Sequence, residues 1–367
     1  MMAGKKIMLF YGTRPELIKL APLIFILKKN KKVNLKVVNT GQHKEMVDDL
    51  EAFFSIKPDF KLNIMKDNQS LNEISEKITK KANSLLLVEK PDIVVIQGDT
   101  SSVLGIGLVA FNLRIKVAHV EAGLRSFDME HPFPEEFNRR AVSLFASYNF
   151  APTKQSVQQL INERIPKSKI FLTGNTIVDA IQLTMANQKK GKRLSKVNTP
   201  LQILITAHRR ENHGLGIENI CKSILLVLKK HPEVSFIWPV HPNPNVIGPV
   251  NKILGNKERV HIIPPVSYLE LLKLIDESFL VWTDSGGIQE EVPTFKKPVL
   301  ILRKVTERPE VISAGFGLLV GTNPNKIVAE TSILLINPAE YNKRISGKNP
   351  FGDGKASDKI ADILTRP

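Results

Sequence analysis

The sequence predicts two doubly wound α/β domains in tandem, and three observations carry that prediction. Short apolar, β-branched runs alternate with longer segments of helical periodicity, the pattern of a parallel sheet covered on both faces. The alternation ends near residue 175 and begins afresh at residue 202. Between the two series lies ANQKKGKRLSKVNTP (186–200), polar, basic and without apolar periodicity, which reads as a linker or surface loop.

The strands follow in order. In the first series they are KIMLFYG (6–12), LKVVNTG (35–41), DIVVIQG (92–98), VAHVEAG (117–123), YNFAPT (148–153) and IFLTGN (170–175). In the second they are QILITAHR (202–209), VSFIWPV (234–240), VHIIPPV (260–266), FLVWTDSGG (279–287), PVLILR (298–303) and FGLLVG (316–321). This places an N-terminal Rossmann-like domain at 1–173 and a C-terminal one at 174–353. The last segment, 354–367, forms a short amphipathic helix capped by Ser357 or Asp358 and packs back on the first domain. Ligands of such folds bind beyond the carboxyl ends of the strands, so two such domains facing each other across a cleft would bring both sets of strand ends to one ligand.

Composition limits the function classes. Of 367 residues, 42% are hydrophobic and 24% charged, an ordinary globular balance, and no run is long enough to span a membrane. The apolar run at the N-terminus breaks at Gly12-Thr13-Arg14 without a cleavage site and reads as a buried strand, not a signal peptide. Cys221 stands alone in a helical run, as a structural thiol, and a reducing cytoplasm is the expected compartment. The net charge of +16 is spread over predicted helix ends and loops, with no basic stripe interleaved with aromatics, so no nucleic-acid partner is expected.

Polar residues gather where strands should end. Strand one runs into Gly12-Thr13-Arg14-Pro15-Glu16, with Pro15 placed to start a helix and Arg14 beside its free N–H groups; Lys19 lies a turn further on. The third strand ends at Gln97-Gly98-Asp99-Thr100, where Asp99 serves chemistry or merely caps the next helix. The fourth carries Glu121 beside His119. A carboxylate on a buried strand is costly unless paired, which makes Glu121 the stronger candidate, with Arg125 as an alternative structural partner. After Pro132 and Pro134, Glu135 and Arg139 share a helix face at i,i+4, a catalytic pair or a surface ion pair.

The second half complements this set. His208, Arg209 and Arg210 end its first strand and His241 its second. Ser285-Gly286-Gly287 separates an apolar strand from a helix opening at Ile288, where small residues let backbone N–H groups approach a phosphate, or simply make a tight turn. Glu290 and Glu291 follow, one of them placed to accept ribose hydroxyls, and Arg308 sits in Thr306-Glu307-Arg308-Pro309-Glu310. HExxH, GxSxG and Walker A patterns are absent.

Taken in order, GTRPE with Lys19, QGDT (97–100), HVEAGLRS (119–126), PEEFNRR (134–140), TAHRREN (206–212), TDSGGIQEE (283–291) and TERPE (306–310) resemble the non-hydrolysing UDP-N-acetylglucosamine 2-epimerases over essentially the full chain. The resemblance implies a GT-B fold, a cytoplasmic homodimer, UDP-GlcNAc and UDP-ManNAc as substrates, and neither nicotinamide nor metal. It implies that Arg14, Lys19, His208, Ser285, Gly286, Gly287, Glu291 and Arg308 bind UDP. Asp99, Glu121 and Glu135 would be the acid/base carboxylates, supported by Arg139 and His208. The implied chemistry is elimination of UDP to 2-acetamidoglucal and re-addition with inversion at C2, feeding cell-surface polysaccharide synthesis. Many relatives also bind a second UDP-GlcNAc as activator. Gln42, His43, Arg209 and His241 match that site, while Glu45 and Asn68 stand where such members often carry glutamine and arginine.

Overall fold

The computed structural model describes residues 4–42, 44–65, 69–186 and 201–366. The chain forms two compact units, Met1–Leu183 with Phe351–Pro367, and Thr184–Pro350. Past Ala186 the expected linker lies outside the described residues, as do His43 and Asn68.

The first unit holds seven strands: β1 (Lys5–Tyr11), β2 (Val33–Asn39), β3 (Phe60–Lys61), β4 (Ile93–Gln97), β5 (Lys116–Val120), β6 (Tyr148–Ala151) and β7 (Ile170–Leu172). All pairings are parallel, in the order β3-β2-β1-β4-β5-β6-β7. Met8, Phe10, Val94, Ile96 and Val117 alternate onto one face. There they meet Ile78, Ala82, Ile106 and Val109 from the helices Leu71–Glu89 and Ser101–Asn112.

The second unit repeats the plan with β8 (Leu201–Thr206), β9 (Val234–Pro239), β10 (Val260–Ile263), β11 (Leu280–Thr283), β12 (Val299–Ile301) and β13 (Gly317–Leu319). Their order is β10-β9-β8-β11-β12-β13, again all parallel. Its core includes Phe236 edge-on to Trp282, ring centres 5.1 Å apart. Cys221 is fully buried there, and burial pushes its thiol up to about 12, so it is inert at neutral pH.

Two α/β domains with parallel sheets are therefore what the chain builds, and every predicted strand is present. Only β3 had no counterpart among them; two residues at a sheet edge are too short to show a period. In each unit the strand order reverses once, between β1 and β4 and between β8 and β11. Those reversals open the crevices where doubly wound sheets take ligands. Among the described residues no helix is long and apolar enough to cross a membrane.

The divisions fall at Leu183/Thr184, inside the helix Thr176–Ala186, and at Pro350/Phe351, where the sequence reading put 173/174 and 353/354. Two contacts account for the difference. The Asn175 N–H donates to Phe351 O at 2.8 Å, and buried Asp179 accepts the N–H groups of Ser357 (2.7 Å) and Ala356 (3.3 Å). The last helix, Ala356–Thr365, packs on the helix Arg14–Lys29. Its cap position is Lys355, neither Ser357 nor Asp358, because Asp179 reaches across to satisfy the exposed end of the helix. Asp179→Ala should cost about 1–3 kcal/mol in urea unfolding and strip hydrogen-exchange protection from Ala356 and Ser357. Unchanged protection there would show that the contact carries no weight.

Candidate active site

One buried side chain, Glu16, holds the β1 and β4 loops of the first unit together. Thr13 caps the helix Arg14–Lys29, and Glu16, at its third position, turns back on the loop. Glu16 accepts the Gly12 N–H at 2.6 Å and the Thr13 N–H at 3.0 Å with one oxygen, and the Thr100 hydroxyl at 2.9 Å with the other. Burial raises its pKa, against the pull of those three donors. From β5, His119 donates through Nε2 to the Gly98 carbonyl at 2.7 Å, one residue before Asp99.

Asp99 and Glu121 stand at the ends of neighbouring strands, since Gln97 of β4 is opposite Val120 of β5. Glu121 follows β5 in the left-handed region at φ 70°. Its carboxylate is bound by Lys19, itself buried on the first helix, and by the Gln97 side-chain amide at 3.0 Å. Asp99 pairs with Arg139 at 2.6 Å, and its carbonyl accepts from the Asn138 side chain at 2.8 Å. Thr100, not Asp99, caps the following helix, accepting from Val103.

Two sequence-level alternatives are corrected by this geometry. Arg125 does not serve Glu121; it makes a bidentate pair with Glu163 at 2.9 and 2.6 Å. Arg139 does not pair with Glu135 despite the i,i+4 spacing. It turns to Asp99 and, at 3.6 Å, to fully buried Glu136, where a charge most needs a partner. Glu135 stays half-buried at the start of the helix Glu135–Phe145, with no ion pair among the described residues. Arg14 is half-buried at the first turn of its helix. Gln42 accepts the Ser102 hydroxyl at 2.7 Å.

The second unit closes its reversal the same way. Fully buried Asp284, just past β11, accepts the backbone N–H groups of His208 (3.0 Å) and Arg209 (2.9 Å) and the Asn212 side-chain amide (2.9 Å). His208 stacks on His241, ring centres 5.6 Å apart. Partial burial of its ring, with His241 and Arg209 nearby, holds its pKa below the usual histidine value against the opposing charge of Asp284. The helix after β11 spans Gly286–Glu291, opening at Gly286 and not at Ile288, with Ser285 as its cap.

A β-carbon on Gly286 would meet only Arg209 Nη2 at 3.8 Å and Arg308 Nη2 at 4.0 Å, so two guanidinium groups converge over that backbone. Gly287 is exposed and Glu291 buried. Arg308 is gripped through Nε by Glu290, and its own N–H donates to Thr306 Oγ1 at 3.0 Å.

Glu16, Glu136, Asp284 and Arg303 were not singled out from the sequence. Thr13-Arg14-Pro15-Glu16 is a capping-box pattern and was readable as one. Asp284 meets the same test as Glu121, a carboxylate at the end of an apolar strand.

Burial holds the His119 imidazole at about 4, with the Gly98 hydrogen bond opposing and the Arg125 and Arg139 charges assisting. The unfolded ring takes a proton below about 6.5. The folded one refuses it until about 4, so stability is lost as pH falls through that window. Ring NMR should give a midpoint near 4, and His119→Gln should flatten the acid loss of stability. A midpoint at the ordinary histidine value would contradict this.

Comparison with known proteins matches this geometry to one family. A sequence model described as UDP-N-acetylglucosamine 2-epimerase matches residues 26–365. The UDP-N-acetylglucosamine 2-epimerase of Neisseria meningitidis serogroup A is 44% identical over 98% of this chain and 99% of that protein. A crystal structure of UDP-GlcNAc 2-epimerase from Neisseria meningitidis bound to UDP-GlcNAc superposes with a TM-score of 0.91 at 43% identity, covering 98% of this chain and 99% of that one. MurG of Acinetobacter baumannii, 15% identical with a TM-score of 0.65 over 98% of this chain and 99% of its own, shares the fold alone.

Proposed function

The chain belongs to the UDP-N-acetylglucosamine 2-epimerase family, and from that premise we propose that it interconverts UDP-GlcNAc and UDP-ManNAc, in the cytoplasm and as a homodimer. Membership makes it an isomerase. The observation that carries the chemistry is the pair of carboxylates, Asp99 and Glu121, at adjacent strand ends, each bound to a cation.

C2–H of this sugar is not acidic, because no carbonyl adjoins it. Its removal must accompany departure of the leaving group at C1. One carboxylate takes the C2 proton while the C1–O bond breaks, the electron pair leaves with UDP, and a C1=C2 double bond forms. Delivery of a proton to the opposite face of C2, with re-addition of UDP at C1, gives the epimer. Two acid/base groups in different surroundings suit this exchange. Glu121 beside Lys19, Asp99 beside Arg139 and half-exposed Glu135 supply three such surroundings. We assign the diphosphate to Arg209, Arg308 and the backbone at Ser285, Gly286 and Gly287, and ribose to Glu291. We also assign UDP contacts to His208 in the second unit and to Arg14 and Lys19 in the first. The product supplies N-acetylmannosamine units to cell-surface polysaccharide.

Incubation with UDP-GlcNAc alone, without an acceptor, should give UDP-ManNAc. Asp99→Asn and Glu121→Gln should each lower kcat by ~10²–10⁴-fold while UDP still binds. Accumulation of free ManNAc and UDP would point to a hydrolase, and no turnover without an acceptor would point to a glycosyltransferase.

A further inference from the structure

The fully buried carboxylate of Glu136 has no part in the proton transfer assigned so far, yet it joins the segments that carry all three of its acids. Glu136 follows Glu135 in the first turn of the helix Glu135–Phe145 and is 0% exposed. Oε2 accepts the Ser126 N–H at 2.9 Å and Oε1 the Phe127 N–H at 3.2 Å, both in the loop that begins with Glu121. Oε2 also faces Arg139 Nη1 at 3.6 Å, three residues along the same helix. Arg139 in turn binds Asp99 through Nη2 at 2.6 Å, and the Asn138 side chain beside it donates to the Asp99 carbonyl at 2.8 Å.

The form of the Arg139 grip is informative. Arg139 is buried, and its Nε and Nη1 atoms make no hydrogen bond among the described residues, so it holds Asp99 through a single nitrogen. A guanidinium otherwise prefers to take a carboxylate with two parallel N–H bonds. Here the Glu136 charge, close to Nη1, draws the other end of the guanidinium away from Asp99. A buried cation left with one anion would turn wholly to it.

We propose that Glu136 is a positioning residue: anchored by the Ser126 and Phe127 N–H groups, it restrains Arg139 to a one-nitrogen grip on Asp99, so that the Asp99 carboxylate stays placed and open for the C2 proton. Buried as it is, Glu136 acts through Arg139 and not on the substrate. This role rests on Asp99 being an acid/base group, the reading given under the proposed function.

The test is a double-mutant cycle with Arg139→Met, read by kcat and by calorimetric UDP binding. Glu136→Gln keeps the shape and an oxygen for a loop N–H but removes the charge. It should lower kcat by ~10–10²-fold and leave UDP binding close to wild type. Added to Arg139→Met, it should lower kcat no further, because the guanidinium through which it acts is gone. A folded Glu136→Gln protein with wild-type kcat overturns the proposal, and so does a loss confined to UDP affinity. A double variant whose kcat loss is the product of the two single losses also overturns it, since that is what a Glu136 that only braces the loop would give. If Glu136→Gln does not fold, Glu136→Asp replaces it. The anion is then drawn back by one methylene, so kcat should fall and the fall should vanish in the Arg139→Met background; a fall that persists there overturns the proposal. Wild-type protein that leaves UDP-GlcNAc unconverted would instead sink the functional reading, and this role with it.

Discussion

Where a doubly wound sheet reverses its strand order, two loops rim a crevice with no ladder between them to fix their separation. Each unit meets that constraint with a buried carboxylate: Glu16 between the β1 and β4 loops, Asp284 between the β11 and β8 loops. Each accepts three donors, and charge-assisted bonds of this kind contribute roughly 1.5–3 kcal/mol apiece. That offsets part of the cost of burying the charge, and at Glu16 burial still outweighs the three donors. Because these acids consume donors lining the loops, the side chains beyond them, Asp99 in one unit and His208 with Arg209 in the other, are presented from a fixed backbone. Rigid support of this kind is what catalysis by positioned groups requires.

Beyond the clamps, charge is organised in pairs: Lys19 with Glu121, Arg139 with Asp99, Arg308 with Glu290, and Arg303 with both Glu211 and Glu307. The first two place a cation on Asp99 and on Glu121, two of the three carboxylates assigned to proton transfer. The last two tie arginines of the second unit to neighbouring carboxylates. His119 contributes by remaining uncharged, joining the β5 strand to the Gly98 peptide without adding a charge between Asp99 and Glu121.

Much of this was legible in the chain. The strands announced themselves because buried parallel strands are continuous β-branched runs, and Glu121 stood out because an acid in such a run demands a partner. The identity of that partner was not legible. Lys19 and Glu121 lie 102 residues apart, and only the β1-β4-β5 order brings them together. Local spacing misled in the opposite direction: Arg139 and Glu135 share a helix face, yet a deeper acid claimed the arginine. The cap of the last helix was hidden for the same reason, since Asp179 precedes Ser357 by 178 residues. Glu16 differs, because its capping pattern, Thr13 to Glu16, is local and legible in the sequence.

The central claim is that carboxylates at adjacent strand ends exchange the C2 proton of a UDP-sugar with solvent. Proton NMR of UDP-GlcNAc with the protein in D2O tests it most directly. UDP-ManNAc should appear with deuterium at C2, and the remaining UDP-GlcNAc should gain deuterium there as the reaction reverses. UDP-ManNAc that retains its original C2 proton would contradict the claim.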